Sequence, residues 1–395
     1  MLGNCIIRNP RGSSGNLDKG AICESLLFFD RVHLIIDMGT LYALVKADFL
    51  DSLIALLEAG YITANYSPQA PVLHTDTKNG LKEHFFTVVK ISGDQKKPKM
   101  RNPDLLEQAL TRISDDKVKA QAYYRRLAKL ISFEDIADHG VPELGKKDIC
   151  DPLIAREVAR MALREKGIPE NEITFTYVNA LPLDGFKFAI TTDIDFDHLR
   201  QYVPDDDKST FNQNTILPMI SDARFDIGLA ANYNAALVGN DKSKDLTQLI
   251  LKRSIGSLFS PEDSLRSIYD FISVDTPSVR DVINSNERTV AEFIILLEKS
   301  NAFKNWLKVQ NPTGDLVKEM LREKAQAGWL SKTPMKLARF GIFTAAGAIA
   351  DTLSPGAGVL AGAADTFLLD KIAKHWRPHF FVENNLKRFL GPQPG

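Results

Sequence analysis

The amino-acid sequence predicts an α+β fold that is predominantly helical. Short apolar runs typical of strands occur early in the sequence, one stretch in the middle alternates apolar and polar residues, and most other apolar residues recur at helical spacing. We therefore expect four regions: a flexible arm over residues 1–20, a small α/β region over 21–98, a mostly helical region over 99–275 with a β-hairpin at 173–196, and an all-helical region over 276–395.

The composition fits a folded protein with ordinary hydrophobic cores. Of the 395 residues, 44% are hydrophobic and 25% are charged, and 49 basic side chains balance 50 acidic ones to a net charge of -1. Balanced charge creates no overall field toward nucleic acid or an anionic bilayer, so we expect no nucleic-acid partner and do not favour a membrane. Three cysteines without C-x-x-C spacing and the absence of an apolar signal-peptide segment predict a cytoplasmic protein.

The first region is predicted to be a mobile arm that leads into strands and one helix. Residues 8–20 are rich in Gly, Ser, Asn and Arg, a composition typical of a loop. The elements expected after the arm are strands at 25–29 and 32–36, a helix at 40–59, and strands at 61–66 and 85–91.

Helices are predicted for most of the chain beyond a lysine- and proline-rich linker that ends near residue 103. The best-marked helix covers residues 152–166, because Asp151 is suited to cap its start and Gly167 to end it. After residue 212 the sequence predicts helices only.

The middle hairpin carries the strongest candidate for chemistry. Its two strands are expected at 173–178 and 186–190, on either side of a Pro-Leu-Asp-Gly turn. If the second strand continued to residue 196, Asp193 and Asp195 would project from one face of it, since side chains alternate along a strand. These two carboxylates, with His198 or Asp222 completing the set, would then form a site for Mg²⁺ or Mn²⁺. Alternatively, the acids are charges on a solvated strand edge, and Asp197 caps a helix expected at 198–202.

The segment 340–369 has the most unusual composition in the chain. It is rich in Ala and Gly, is interrupted by Asp351 and Asp365, and contains a Ser-Pro-Gly turn, which predicts a helical hairpin. Its apolar halves are shorter than the roughly 20 residues that span a membrane. Gly358 and Gly362, at four-residue spacing, permit close helix packing. We expect this hairpin to pack in a core; self-association and membrane insertion are the alternatives.

A basic and aromatic segment follows the predicted hairpin. Trp376, Arg377 and Phe380 interleave cationic and aromatic side chains that suit contact with a partner. The alternative is that the aromatic rings close over the hairpin while the charged side chains face water.

The sequence contains no complete catalytic or cofactor motif, so we expect no cofactor and predict an interaction or scaffold protein inside the cell. It would act on a protein partner, or on itself, through the 340–369 hairpin and the basic-aromatic end. The first alternative is a metal-dependent hydrolase centred on Asp193, Asp195 and His198, with Mg²⁺ or Mn²⁺ as cofactor. The second alternative is a membrane-active effector that uses the hairpin.

Overall fold

The structure is a computed structural model, and its described residues contain two sheets and the helices that surround them. It describes residues 2–10, 16–78, 80–91, 100–233, 235–238, 246–247, 249–250, 279–301 and 385–390. The strands are β1 (Leu2–Arg8), β2 (Phe29–Ile36), β3 (Ile62–Tyr66), β4 (Gln69–Lys78), β5 (Leu81–Lys90), β6 (Val178–Pro182), β7 (Phe188–Thr192) and β8 (Ala235–Val238). The helices are α1 (Lys19–Phe28), α2 (Met38–Lys46), α3 (Leu50–Glu58), α4 (Asn102–Ile113), α5 (Lys117–Leu130), α6 (Val141–Ile149), α7 (Pro152–Glu165), α8 (Phe196–Leu199), α9 (Asp205–Lys208), α10 (Pro218–Asn232), α11 (Val279–Asn284), α12 (Val290–Lys299) and α13 (Lys387–Leu390).

The first sheet is parallel and has the strand order β3-β2-β1-β8. The chain moves outward from β1 to β2 and β3, then returns much later to place β8 on the other side of β1. The strand order therefore reverses between β1 and β8. In open parallel sheets, such a switch point is where a crevice forms beyond the carboxyl ends of the strands.

Helices cover both faces of this parallel sheet. Alternate residues of β1 and β2 enter two separate cores: Ile7 and Leu34 pack on the side of α1 to α5, while Ile6 and Ile35 pack on the side of α6, α7 and α10. Strands buried on both faces are continuously apolar instead of alternating. The apolar runs that precede Arg8 and Asp37 follow this rule.

The second sheet is antiparallel and has the order β4-β5-β7-β6. The β4–β5 hairpin is joined to β7 where His84 pairs with Phe188. Phe86 of β5 is fully buried against α6, and a Cβ added at Gly145 of that helix would lie only 2.7 Å from its ring. Helix α10 packs against β1 and β8 of the first sheet and against β4 of the second, so it connects the two sheets.

The described residues combine helices with two separate sheets, as an α+β fold requires, but the predicted arm is wrong for residues 2–8. These residues form β1, with a partner strand on each side. Residues 25–28, expected to be a strand, belong to α1 instead. Helix α1 is buried from Gly20 to Phe28, so it lacks the periodicity that distinguishes a helix from a strand. The helix expected at 40–59 is two helices, separated near Asp48, which has a left-handed φ of 51°.

The middle hairpin exists, but its strands are displaced toward the C-terminus. The expected strands at 173–178 and 186–190 are replaced by β6 and β7, which end at Pro182 and Thr192. Residues 235–238, for which only helix was expected, form β8. Both sheets combine strands from before and after residue 98, where the α/β region was expected to end.

The last described residues return to the core beside α1. Arg288 donates hydrogen bonds to the carbonyl oxygens of Phe389 (2.7 Å) and Arg388 (3.1 Å). The Phe389 ring, which is 7% exposed, meets the edge of Phe293 in α12. Among all the helices that the structure describes, none has the length and apolarity needed to cross a bilayer.

Candidate functional site

Asp193 lies just after β7 and organises a local turn. Its carboxylate accepts hydrogen bonds from the backbone N–H groups of Thr176 (2.9 Å) and Tyr177 (3.1 Å) and from the Thr176 hydroxyl (2.5 Å). The Thr176 hydroxyl and these N–H groups lower the pKa of Asp193 to about 2. This carboxylate therefore holds the chain before β6 against the end of β7.

Asp195 and His198 belong to the short helix α8 and not to a strand. Asp195 caps that helix by accepting a hydrogen bond from the His198 backbone N–H at 2.9 Å. The His198 ring lies 3.2 Å from a carboxylate oxygen of Glu172. Because β7 ends at Thr192, Asp193 and Asp195 do not share one face of a strand, contrary to the prediction. Across the described ranges, no group of three His, Cys, Asp or Glu side chains is placed to hold a metal ion, so the geometry adds no support to the metal-hydrolase alternative.

The residues predicted to mediate partner contact lie outside the described part of the chain. These are Gly358, Gly362, Trp376, Arg377 and Phe380, together with the whole 340–369 segment. The interaction role stays a prediction.

A different group of charged residues occupies the carboxyl edge of the parallel sheet. Arg8, the last residue of β1, is only 4% exposed. Its Nη1 donates to Asp226 Oδ1 at 2.6 Å, and its Nη2 donates to Asp222 Oδ1 at 3.1 Å. Its Nε lies 3.9 Å from Asp37 Oδ2, too far for a hydrogen bond. We call Arg8, Asp37, Asp222 and Asp226 the Arg8 cluster.

Three elements bring this cluster together. Asp37 directly follows β2 and caps α2 by accepting a hydrogen bond from the Thr40 N–H at 2.7 Å. Asp222 and Asp226 lie one turn apart on α10, which precedes β8 and passes the end of β1. Phe225, between them in sequence, places its ring 4.9 Å from the Arg8 guanidinium. The cluster therefore lies at the β1/β8 switch point, where the strand order of the sheet reverses.

The cluster has more carboxylates than its single guanidinium can neutralise. Burial raises the pKa of Asp226 to about 6, and the negative charges of Asp222 and Asp37 act in the same direction, against the attraction of Arg8. Desolvation also raises the pKa of Asp222, although 45% of that side chain is exposed. Asp222 is thus the member of the cluster that reaches solvent, while Arg8 and Asp226 lie behind it.

Within the part of the chain that the structure describes, several buried polar atoms at this edge have no hydrogen-bond partner. They are Arg8 Nε, Asn9 Oδ1 and Thr40 Oγ1. Thr40 is 0% exposed. A buried polar atom without a partner costs roughly 1–3 kcal/mol, so such atoms are rare unless they have a use. Asn9 also has a left-handed φ of 48°, which few residues other than glycine adopt.

This cluster was not expected from the sequence, because Arg8 was predicted to lie in a flexible arm. The signal that could have found it is the apolar run Cys5-Ile6-Ile7 directly before Arg8. A short apolar run of this kind also fits a strand buried on both faces. Within the predicted arm, residues 2–8 thus form a central strand that ends at Arg8.

Comparisons with known proteins leave the geometry as the basis for function. No protein-family model, no curated protein and no solved structure matches the chain.

Proposed function

We propose that the described α/β body is a ligand-binding module and that the Arg8 cluster is its binding site. The observation that carries the proposal is the position of Arg8: a guanidinium that is 4% exposed ends the central strand at the switch point and holds a carboxylate that reaches solvent. Ligands of open parallel sheets bind beyond the carboxyl ends of the strands at such a point.

The polarity of the site supports this proposal over a purely structural role. A buried ion pair that only stabilises a fold is expected to be balanced in charge and complete in its hydrogen bonds. The Arg8 cluster instead sets three carboxylates against one guanidinium and leaves Arg8 Nε without a partner. The second buried pair, between Arg224 and Asp148, is one-to-one and bidentate, as a structural pair should be.

A screen of small polar compounds against the full chain tests the proposal. Hydrogen–deuterium exchange should show that compounds which bind protect segments 2–10, 36–42 and 218–228 together. Replacing Asp222 with Asn should remove this protection. Replacing Asp184, an exposed acid in the turn between β6 and β7, with Asn should leave it unchanged. Compounds that protect only other segments, or bind equally well to the D222N variant, would overturn the proposal.

A further inference from the structure

We propose that the ligand of the Arg8 cluster is a small organic cation, held through an ammonium or guanidinium group by Asp222 and Asp37. This inference rests on the proposed function, because it names the chemical class of the ligand at the same site.

The carboxyl edge of the parallel sheet has acceptor atoms that are available to a ligand. Asn9 Oδ1 and Thr40 Oγ1 are buried without partners. Among the described residues, Asp222 accepts one hydrogen bond, at Oδ1 from Arg8 Nη2, and the Asp37 side chain accepts one, from the Thr40 N–H. Among these described groups, acceptor oxygens therefore outnumber the unpartnered donors, which are Arg8 Nε and the Thr40 hydroxyl, itself also an acceptor. Acceptors select a ligand that donates, and an ammonium group brings three donors and no acceptor.

The charges around Asp222 favour a cationic ligand. Among the described residues, the charged groups that act on Asp222 are Arg8 from β1, Asp37 from the start of α2, Asp226 from its own helix and Glu165 from α7. Of these groups, only Arg8 is a cation. An anionic ligand would add to the repulsion among the carboxylates, while a cation would reduce it.

The geometry of the cluster favours an organic cation over a metal ion. Mg²⁺ requires near-ideal octahedral coordination by oxygen ligands at about 2.0–2.1 Å. Asp222 and Asp226 are each held by a different nitrogen of Arg8, and within the described chain no three acidic or histidine side chains are placed around a metal position. An ammonium group tolerates longer and less regular contacts, so it suits carboxylates whose positions are already fixed.

Binding of a cation at this site should release protons. A cation beside Asp222 lowers the pKa values of Asp222 and Asp226, both of which are raised in the free protein. Binding should therefore strengthen as the pH rises through about 6, the pKa of Asp226.

A series of four-carbon compounds provides the test, because its members match in size and differ in charge. The full chain is titrated with 1,4-diaminobutane, 1,4-butanediol, succinate and MgCl₂, and hydrogen–deuterium exchange and calorimetry are recorded at pH 5 and pH 7. We expect only the diamine to protect segments 2–10, 36–42 and 218–228, with tighter binding at pH 7. The D222N variant should weaken diamine binding about tenfold or more, the loss expected for a hydrogen bond to a charged group. The D184N variant should bind like the parent.

The other outcomes distinguish this inference from the proposed function. Protection of the same segments by succinate would overturn the cationic ligand but leave the site standing. Protection by MgCl₂ alone would overturn the organic cation in favour of a metal. If none of the four compounds protects these segments and the broader screen also fails there, both proposals fall.

Discussion

At the scale of single residues, the carboxylates around Arg8 differ according to how much water they retain. Asp226 is 2% exposed and depends on Arg8 Nη1 as its cation, whereas Asp222 keeps nearly half of its side chain in solvent. Desolvation favours the neutral form of a buried acid more strongly than one shared arginine favours the charged form. Asp226 therefore lowers the stability of the fold when it ionises.

The D226N variant should remove this pH-dependent loss of stability. The pKa of Asp226 is about 6 in the folded protein, above the ordinary aspartate value of 3.8, so the folded state holds the proton over that interval and stability falls as the pH rises through it. Between pH 4.5 and 7.5 the free energy of unfolding of the parent, relative to D226N, should fall by about 2 kcal/mol. Urea denaturation at several pH values measures this difference. Parallel pH profiles for the two proteins would show that Asp226 has an ordinary pKa.

The D193N variant should show the opposite dependence on pH. The hydrogen bonds from Thr176 and Tyr177 lower the pKa of Asp193 to about 2, so its stabilising effect is present at neutral pH and is lost as the pH falls toward 2. We expect D193N to melt at a lower temperature than the parent at pH 7, with the difference shrinking in acid. As a control, D184N changes an exposed acid in the neighbouring turn and should melt like the parent. If D193N melts like the parent, and Mn²⁺ raises the melting temperature of the parent but not of D193N, the metal-site alternative is favoured instead.

At the scale of secondary-structure elements, the contact between α1 and α11 depends on a glycine. Gly20 donates its N–H to Asn284 Oδ1 at 2.9 Å, and Asp18 accepts a hydrogen bond from Arg280 Nε at 2.7 Å. A Cβ added at Gly20 would overlap the backbone of Arg280. The backbones of the two helices are therefore in direct contact at Gly20. Because the helices are far apart in sequence, no local sequence pattern predicts this contact.

The G20A variant should separate these helices. Overpacking of a tight contact costs about 1–3 kcal/mol, which exceeds the gain of about 1 kcal/mol from replacing glycine by alanine within a helix. Urea denaturation should show a net loss of stability. The K19A variant changes the adjacent, partly exposed residue and removes only its long, exposed hydrogen bond to Asn286 (3.4 Å), so it should stay within about 0.5 kcal/mol of the parent. A G20A protein more stable than the parent would mean that the close approach does not occur.

How far an element could be predicted depended on how much of it faces water. Helix α7 begins at Pro152 with Asp151 as its cap, as predicted, because one of its faces is polar and the apolar period is visible. Strand β1 and helix α1 are buried, so no polar face marks their type. For the Arg8 cluster, the apolar run before Arg8 indicates a buried strand, but the acids come from α10 and from the end of β2, and only the strand order brings them to Arg8.

At the scale of the whole molecule, the last described helix belongs to the same core as the first strands. Leu386, Phe389 and Leu390 are buried in the cluster that contains Ile7 and Leu34. The segment 302–384 includes the predicted hairpin, and residues of this same core lie on both sides of it in the sequence.

The F389A variant tests this attachment. Removing a ring that is 7% exposed and packed on Phe293 should cost about 3–5 kcal/mol of stability. The neighbouring R388A variant changes an exposed side chain and keeps the backbone carbonyl that Arg288 binds, so it should cost less than about 0.5 kcal/mol. Differential scanning calorimetry compares the two. Equal melting temperatures for both variants would show that α13 does not contribute to the core.

The pairing of β1 with β8 also determines when the protein can finish folding during its synthesis. Asn4 pairs with Ala235, so β1 lacks one neighbour until the ribosome has made most of the described chain. Contacts between residues so distant in sequence form slowly, because a long loop must close first. Until then, an apolar strand with an open edge is exposed to other nascent chains. Translation products that stop before residue 235 should therefore aggregate, and chaperones that bind exposed apolar strands should associate with this protein early in translation.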